Sequence, residues 1–505
     1  MAIRISGLNS GMDTESMVQE LVKSYSSKTE KIKKDQTRAK WKQEAYSSIN
    51  TKVKSFYNKL SNLQYSSAYS KKTTNVSDSS KVSVVTSDNA VKGTQTVAVN
   101  QLAKSGYLTG GEITDTKGNL IKDGNTKLSE LGIEETELSF TQGGKTTSIK
   151  LNESGTDMTI NDVVKKLSSA GVNANFDSNT GRLFVSSKES GAASDFNITS
   201  VTGDADSSKA LEALGLSTSS TKNKATKIDG QDAEIELNGA KFTSSTNAFN
   251  INGLAITAKD VTKAGETVSL TTDTDYDGIY DTIKDFVTEY SKLINEMDKL
   301  YNADTAKGYD PLTAEEKEAL TEEEVEEWEK KIKDSLLRRD ESISSVANIM
   351  KSAMSSVYEI GGSKLSLSNF GIETLGYFNA ADNEKNAYHI AGDKDDKDTS
   401  GQTDKLKAAI ASDPTQVASF FQKLAGNMYD SLQKISTSSS SRSFGNFYDD
   451  KKVKEDYESY ESKLSDWEDY VAKIEDKYYK QFSAMETAMA KLNSQQSYVQ
   501  NMFGM

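Results

Sequence analysis

Three short stretches carry residue types that could do chemistry. Asp273-Thr274-Asp275-Tyr276-Asp277-Gly278 has the alternating carboxylates that open a calcium-binding loop. Such a loop closes on a bidentate Glu at its twelfth position, and here that position is Lys284. Acids capping a helix that begins near Ile279 explain the run better, because carboxylates complement the positive end of a helix. Gly143-Gly144-Lys145-Thr146 resembles the end of a phosphate-binding loop. The motif needs a glycine five residues before the second of these, where Ser139 stands, so a polar strand–turn–strand is expected. His389 is the only imidazole, and neither a nucleophile nor an orienting acid is signalled beside it. It reads as an ordinary strand histidine. The carboxylates of Glu322–Glu329 and Asp393–Asp398 read as solvated faces and loops, not as the paired acids of an aromatic-lined glycosidase cleft.

Composition closes further routes. The chain has no cysteine, which excludes disulfides, Cys–metal sites and thiol catalysis, and a single histidine excludes a two-His metal site within one chain. Sixty-one Lys and Arg against 75 Asp and Glu leave a net charge of −14, the wrong sign for a general nucleic-acid or anionic-membrane binder. No run of apolar residues is long enough to span a membrane. Met1–Asp13 lacks the charged and apolar regions of a cleaved secretion signal. No cofactor, metal or catalytic residue is expected, and the protein is not expected to be an enzyme.

What remains is organisation. A chain of 505 residues predicts about three to five domains. Two prolines stand where about 25 would be usual, so long unbroken helices are permitted. One stripe with alternating steps of three and four runs through Val18, Leu21, Tyr25, Ile32, Tyr46, Ile49, Val53, Phe56, Leu60 and Leu63, with polar slots at Lys28, Asp35 and Lys42. It predicts one or two long helices over about 14–65, capped by the Asp13–Ser16 run. The chain end mirrors it through Val453, Tyr457, Leu464, Trp467, Val471, Ile474, Tyr478, Phe482, Met485, Met489, Leu492, Val499 and Phe503, with the helix expected to stop near Gly504. Residues 1–64 carry +6 and residues 449–480 carry −4, which favours pairing the two ends as a coiled coil. The Met-rich end of the second stripe can be plain core, or an adaptable surface for exchanging partners, since methionine packs plastically. Between the ends, about 73–273 is rich in Ser, Thr, Val, Gly and Asn and alternates with period two. Strands are expected at Lys81–Thr86, Thr94–Val99, Val172–Phe176, Arg182–Ser186, Ala233–Leu237 and Leu254–Thr257, and short helices at Thr159–Gly171 and Ser207–Gly215. Helical periodicity resumes from Ile279 to Leu300, at Ile343–Val357 and at Asp404–Phe421, with a break at Pro414. Residues 305–330 read as a solvated helical excursion, and Ser436–Ser443 as a serine-rich linker.

Several of these segments resemble one family. Ile5-Ser-Gly-Leu-Asn-Ser-Gly-Met-Asp-Thr14 followed by Met17, Val18 and Leu21 is similar to the opening of the flagellar filament cap proteins, the FliD or hook-associated protein 2 family. Asp229–Gly239 with Ile251–Ile256, Asp281–Leu300, Leu367–Ile372, Leu406–Phe421 and the closing Tyr479–Tyr498 resemble later parts of the same family, whereas the Glu-rich 310–330 stretch departs from it. The resemblance implies an α+β multidomain protein: a terminal coiled-coil or leg domain (1–43 and 453–505), a helical bundle (44–77 and 274–452), a β-rich domain (78–105 and 225–273) and an inserted β-rich cap domain (106–224). It implies export through the flagellar channel, a ring-like homo-oligomer outside the cell at the filament tip, and flagellin as the client that is folded and inserted without leaking away. The interface residues would be Val18, Leu21, Tyr25, Ile32, Ile474, Tyr478, Phe482, Met485, Met489, Leu492, Val499 and Phe503. An export chaperone is expected on the C-terminal helix, because a stripe this apolar aggregates when unpaired. The alternatives are a hook–filament junction protein, which a ring-shaped oligomer would exclude, and a surface adhesin, which loss of binding on deleting residues 78–273 would support.

Overall fold

The computed structural model describes residues 13–503, apart from the side chains of Ser154, Asn501 and Phe503. Ile5–Met12 of the opening motif, the Phe503 side chain and the expected helix stop at Gly504 therefore lie outside the described residues. The described residues form ten α-helices: α1 (Thr14–Leu63), α2 (Ile160–Ala170), α3 (Ala205–Ala213), α4 (Tyr276–Tyr301), α5 (Ala314–Glu318), α6 (Glu322–Ser335), α7 (Glu341–Ser355), α8 (Lys405–Ser412), α9 (Pro414–Ile435) and α10 (Asp450–Phe503). With the strands of the middle they make an α+β protein of two compact units. Ser70–Asp275 is one, and the chain up to Tyr69 and from Tyr276 onward is the other.

The helical unit is built on α1, one helix rather than two, because nothing between Thr14 and Leu63 breaks it. Asp13 caps it, its carboxylate accepting from the Ser16 amide at 3.0 Å. The stripe Tyr46, Ile49, Val53, Phe56, Leu60 and Leu63 is buried against Ile279, Ile283, Phe286, Tyr290 and Met297 of α4 and the apolar faces of α7, α8 and α9. Aromatic rings fix the centre: Phe56 stacks on Phe286 at 5.9 Å, and Phe420 meets Phe370 at 4.9 Å and Tyr358 at 5.6 Å. The expected break at Pro414 is present: α8 ends at Ser412, Asp413 leaves the helical conformation, and Pro414 opens a new helix. The proline occupies the first turn of α9, where its missing N–H costs nothing, Asp413 caps that turn, and the helix runs on to Ile435. The serine-rich 436–443 stretch is anchored, with Arg442 donating to the Ile435 carbonyl and pairing with Asp449 at 2.9 Å.

The strand-rich unit holds two separate cores. One lies in a five-stranded antiparallel sheet, ordered Lys72–Val76, Val268–Thr274, Gly93–Gln101, Ala233–Leu237, Ala240–Ser244, with a three-stranded sheet of Ala248–Ile251, Leu254–Ala258 and Val82–Thr86. Val97, Val99, Ile235, Phe249, Ile256 and Leu270 fill it. In Ala233–Leu237 the odd positions are buried while Glu234 and Glu236 point away, as the period of two requires. The other core, with Leu138, Phe140, Ile160, Leu167, Val185 and Phe196, lies among a four-stranded sheet, a three-stranded sheet and the helices α2 and α3. Asn238-Gly239 and Asn252-Gly253 turn two of the hairpins with positive φ at both residues, the geometry that matches strand twist. Thr159 caps α2 reciprocally with Asp162, whose carboxyl is drawn down to about 2 by its bonds from the Thr159 hydroxyl and amide.

Candidate functional site

Each of the chemical stretches resolves into structure. Gly143-Gly144 is a two-residue hairpin turn between Gln142 and Lys145, with φ of 58° and 75°, so the phosphate-loop resemblance is a strand connection. Asp273 does not cap α4. It stands in the strand Val268–Thr274 and pairs with Lys92 at 2.7 Å, while Asp277, in the first turn of α4, pairs with Lys407 at 2.8 Å. The strand was hidden because its third inward position is a threonine, Thr272, buried through a 2.8 Å bond to Thr74. His389 lies in a two-residue strand paired with Ile372–Glu373, and its Nδ1 is 2.7 Å from Asp396. Burial would push the Asp396 carboxyl up, but the imidazole and the Asp398 amide hold it below the usual carboxylate range. At the front of the same loop Lys284 places its ammonium 2.6 Å from Asp393 and 2.5 Å from Asp395. Lys284 thus pairs with two acids of the run and His389 bonds a third, and these contacts order the loop.

The terminal helices provide the extended surface. α1 and α10 run antiparallel. At the inner end the Tyr46 ring stacks on Tyr448 at 4.7 Å, and farther out Tyr25 meets Tyr470 at 6.1 Å and Trp467 at 6.5 Å. The Trp467 indole N–H donates to the Tyr25 carbonyl at 3.2 Å. The Lys28 ammonium sits 3.7 Å from the centre of the Trp467 ring, so this polar slot is filled by a cation on an aromatic face. Lys33 pairs with Glu468 at 3.1 Å. Between Val22 and Tyr46 no residue of α1 is fully buried. That half of the pair is held by aromatic edges and charges and has no dry seam.

The expected interface residues divide by position. Val18 is buried, at 1% exposure, whereas Leu21 is 44% exposed. Tyr25, Ile32, Ile474, Tyr478, Phe482, Met485 and Met489 are half-buried. Past Met489 the same stripe opens to solvent: Leu492 is 62% exposed and Val499 50%, with Tyr498 and Met502 beside them at 68% and 67%. Two features escaped the sequence reading. Trp467, Tyr470 and Lys28 form one cluster, for which the only signal was a lysine in an apolar register. The Glu-rich 305–330 stretch is docked on α1 as well as solvated, through Lys34–Glu316 at 2.6 Å and Arg38–Asp310 at 2.5 Å. The opposite signs of the two segments were the available hint.

Known proteins match along the whole chain. The family model described as the C-terminus of flagellar hook-associated protein 2 matches residues 230–494, and the one described as its N-terminus matches residues 10–106. A flagellar hook-associated protein 2 of Halalkalibacterium halodurans is 24% identical, over 99% of this chain and 100% of its own length. An A-type flagellar hook-associated protein 2 of Pseudomonas aeruginosa is 24% identical over 59% of this chain and 63% of its own. Among solved structures, the D1-D2-D3 domains of the flagellar cap protein FliD from Escherichia coli share the fold with a TM-score of 0.50 at 19% identity, covering 83% of this chain and 99% of that one. With one family model alone spanning more than half of the residues, and the paired terminal helices and β-rich unit in the expected order, the chain belongs to the flagellar hook-associated protein 2 (FliD) family.

Proposed function

We propose that this chain is a flagellar filament cap, an oligomeric structural protein that sits at the filament tip and guides exported flagellin into place while preventing its loss. The observation that carries the reading is the exposed apolar stripe at the end of α10. Leu492, Tyr498, Val499 and Met502 are large, exposed and on a helix whose earlier stripe is partly covered by α1. A soluble monomer gains nothing from such a face, whereas a leg that packs among polymer subunits needs one. Val18, Tyr25, Ile32, Ile474, Tyr478, Phe482, Met485 and Met489 would hold the leg together, and Leu492, Val499 and Phe503 would meet flagellin. Before assembly the same face would be covered by an export chaperone as the chain passes to the export apparatus. The four-part division into leg, bundle, β-rich and cap domains belongs to this proposal, as does the ring-like homo-oligomer. No bond is made or broken, and no cofactor is needed.

The test is a strain lacking the gene, complemented with the full chain or with the variant Leu492→Asp/Val499→Asp. The full chain should restore filaments and motility. The variant should be exported and accumulate at normal levels while flagellin escapes unassembled into the medium. Normal filaments in the strain lacking the gene would overturn capping and favour the adhesin or junction readings. Normal filaments with the variant would remove the α10 stripe from the mechanism.

A further inference from the structure

Residues 302–338 connect the end of α4 to the start of α7 within the helical unit. Their base is closed by the Arg339 amide donating to the Tyr301 carbonyl at 3.0 Å and by the Arg339 guanidinium over the Tyr301 ring at 5.5 Å. The loop is held by its own contacts. Tyr309 lies against Trp328 at 4.5 Å, the Trp328 indole donates to the Asp310 carbonyl at 2.9 Å, and Glu329 bridges Lys317 and Lys333. Cavities flank it on both sides. One of about 1070 Å³ separates it from the 377–386 loop, and a groove of about 630 Å³ lies between it, α1 and α10. Its return leg is anchored, since Ile332 and Leu337 are 1% exposed and Leu337 belongs to the bundle core.

Its grip on α1 is polar. Glu316 holds the Lys34 ammonium at 2.6 Å, Asp310 holds the Arg38 guanidinium at 2.5 Å with the Tyr309 carbonyl accepting from the same group at 3.1 Å, and Lys333 lies 4.5 Å from the Trp41 ring centre. These contacts fall within the stretch of α1, between Val22 and Tyr46, that has no buried residue. Charge supplies there what burial does not.

We infer that the outer part of this loop, 305–330, is a releasable strap: Asp310 and Glu316 fasten the middle of α1 by charge, and salt or neutralisation of these acids frees residues 31–40 without loosening the bundle. Exposed and half-exposed ion pairs are screened by added salt, whereas an apolar core is not. The strap makes α1 stiff when fastened and bendable when released, independently of what the helix pair later binds.

Trypsin reads this directly, since Lys31, Lys33, Lys34, Arg38 and Lys40 are cleavable only when α1 opens locally. The full chain is compared with Asp310→Asn/Glu316→Gln. The glutamine keeps an acceptor for the Thr313 amide, so the α5 cap survives. Cleavage within 31–40 should rise about threefold to thirtyfold in the variant at low salt, as the loss of two partly exposed pairs implies. The unaltered chain in ~1 M salt should approach the variant, and the variant should respond little to salt. Equal cleavage in both proteins, equal salt response in both, or the same increase within α4 and α9 would each overturn the inference, the last by showing general unfolding.

Discussion

Replacing Trp467 with alanine should open the outer half of the α1–α10 pair and leave the bundle intact. The indole is half-buried, lies 4.9 Å from the Tyr470 ring and 6.5 Å from Tyr25, donates to the Tyr25 carbonyl and carries the Lys28 ammonium on its face. Removing about 100 Å² of covered aromatic surface costs about 2.5 kcal/mol at ~25 cal/mol per Å². The cation–π contact adds about 0.5–1 kcal/mol at a solvent-accessible site. A loss of about 3 kcal/mol raises the open population of this segment roughly 100-fold, since ~1.4 kcal/mol is tenfold. The neighbours cannot compensate, because no α1 residue between Val22 and Tyr46 is buried. Amide hydrogen exchange over residues 23–40 and 460–475 is the assay, with α4 and α9 as internal references. Exchange should accelerate by one to two orders of magnitude in the first two segments and stay unchanged in the references. Pairing the substitution with Lys28→Met should reveal a coupling of about 0.5–1 kcal/mol, the share owed to the ammonium. Acceleration below about threefold, on a scale where ~1.4 kcal/mol is tenfold, would refute the claim that this cluster holds the pair. An equal change in α9 would refute its independence from the core.

Two further outcomes test the rest of the fold. Phe420→Ala removes a fully buried ring packed on Phe370, Tyr358 and Phe421, and should lower bundle stability by about 3–5 kcal/mol in urea unfolding. Asp162→Asn should weaken the α2 cap by about 1 kcal/mol at neutral pH. Because the Asp162 carboxyl is drawn down to about 2 in the folded chain, its contribution is present above its ordinary range near ~3.9 and is lost as pH falls toward 2. The gap between the two proteins in thermal unfolding should therefore close over that window.

Legibility followed the physics of each segment. α1 and α2 were readable because periodicity, capping residues and the absence of breakers agree, and Thr159 with Asp162 is a complete local signal. The break expected at Pro414 is there, between α8 and α9, because proline cannot continue the first helix yet fits the first turn of the next. The 305–330 stretch kept its helices visible and its position hidden, since acids that face solvent and acids that face Lys34 or Arg38 look alike in one dimension. In the sequence Lys28 is only a polar slot in an apolar register. Its partner is 439 residues away in sequence, and no local pattern reports an indole waiting across the pair. The alternation of Val268, Leu270 and Thr272 failed for a related reason, as a threonine satisfied by Thr74 is as buried as a valine would be.

One helix thus spans two energetic regimes, and Tyr46 marks where they meet. Inward of it α1 is a core element, and every inward turn down to Leu63 adds an apolar side chain to the bundle. Outward of it, as far as Val22, no α1 side chain is fully buried, and the pair rests on half-covered rings and on charges. Tyr46 itself is tied three ways. Its ring stacks on Tyr448 at the root of α10, its hydroxyl donates to Asp340 just before α7, and its face is buried beside Ile49. Burial first and the Asp340 carboxylate second push its phenol far above the usual range. Asp340 also caps α7 through its other carboxylate oxygen, so the Tyr46 hydroxyl is bonded to a side chain already fixed in the bundle. The two regimes of α1 therefore meet at a defined residue, and a substitution that loosens the outer pair should leave the core beneath Tyr46 unchanged.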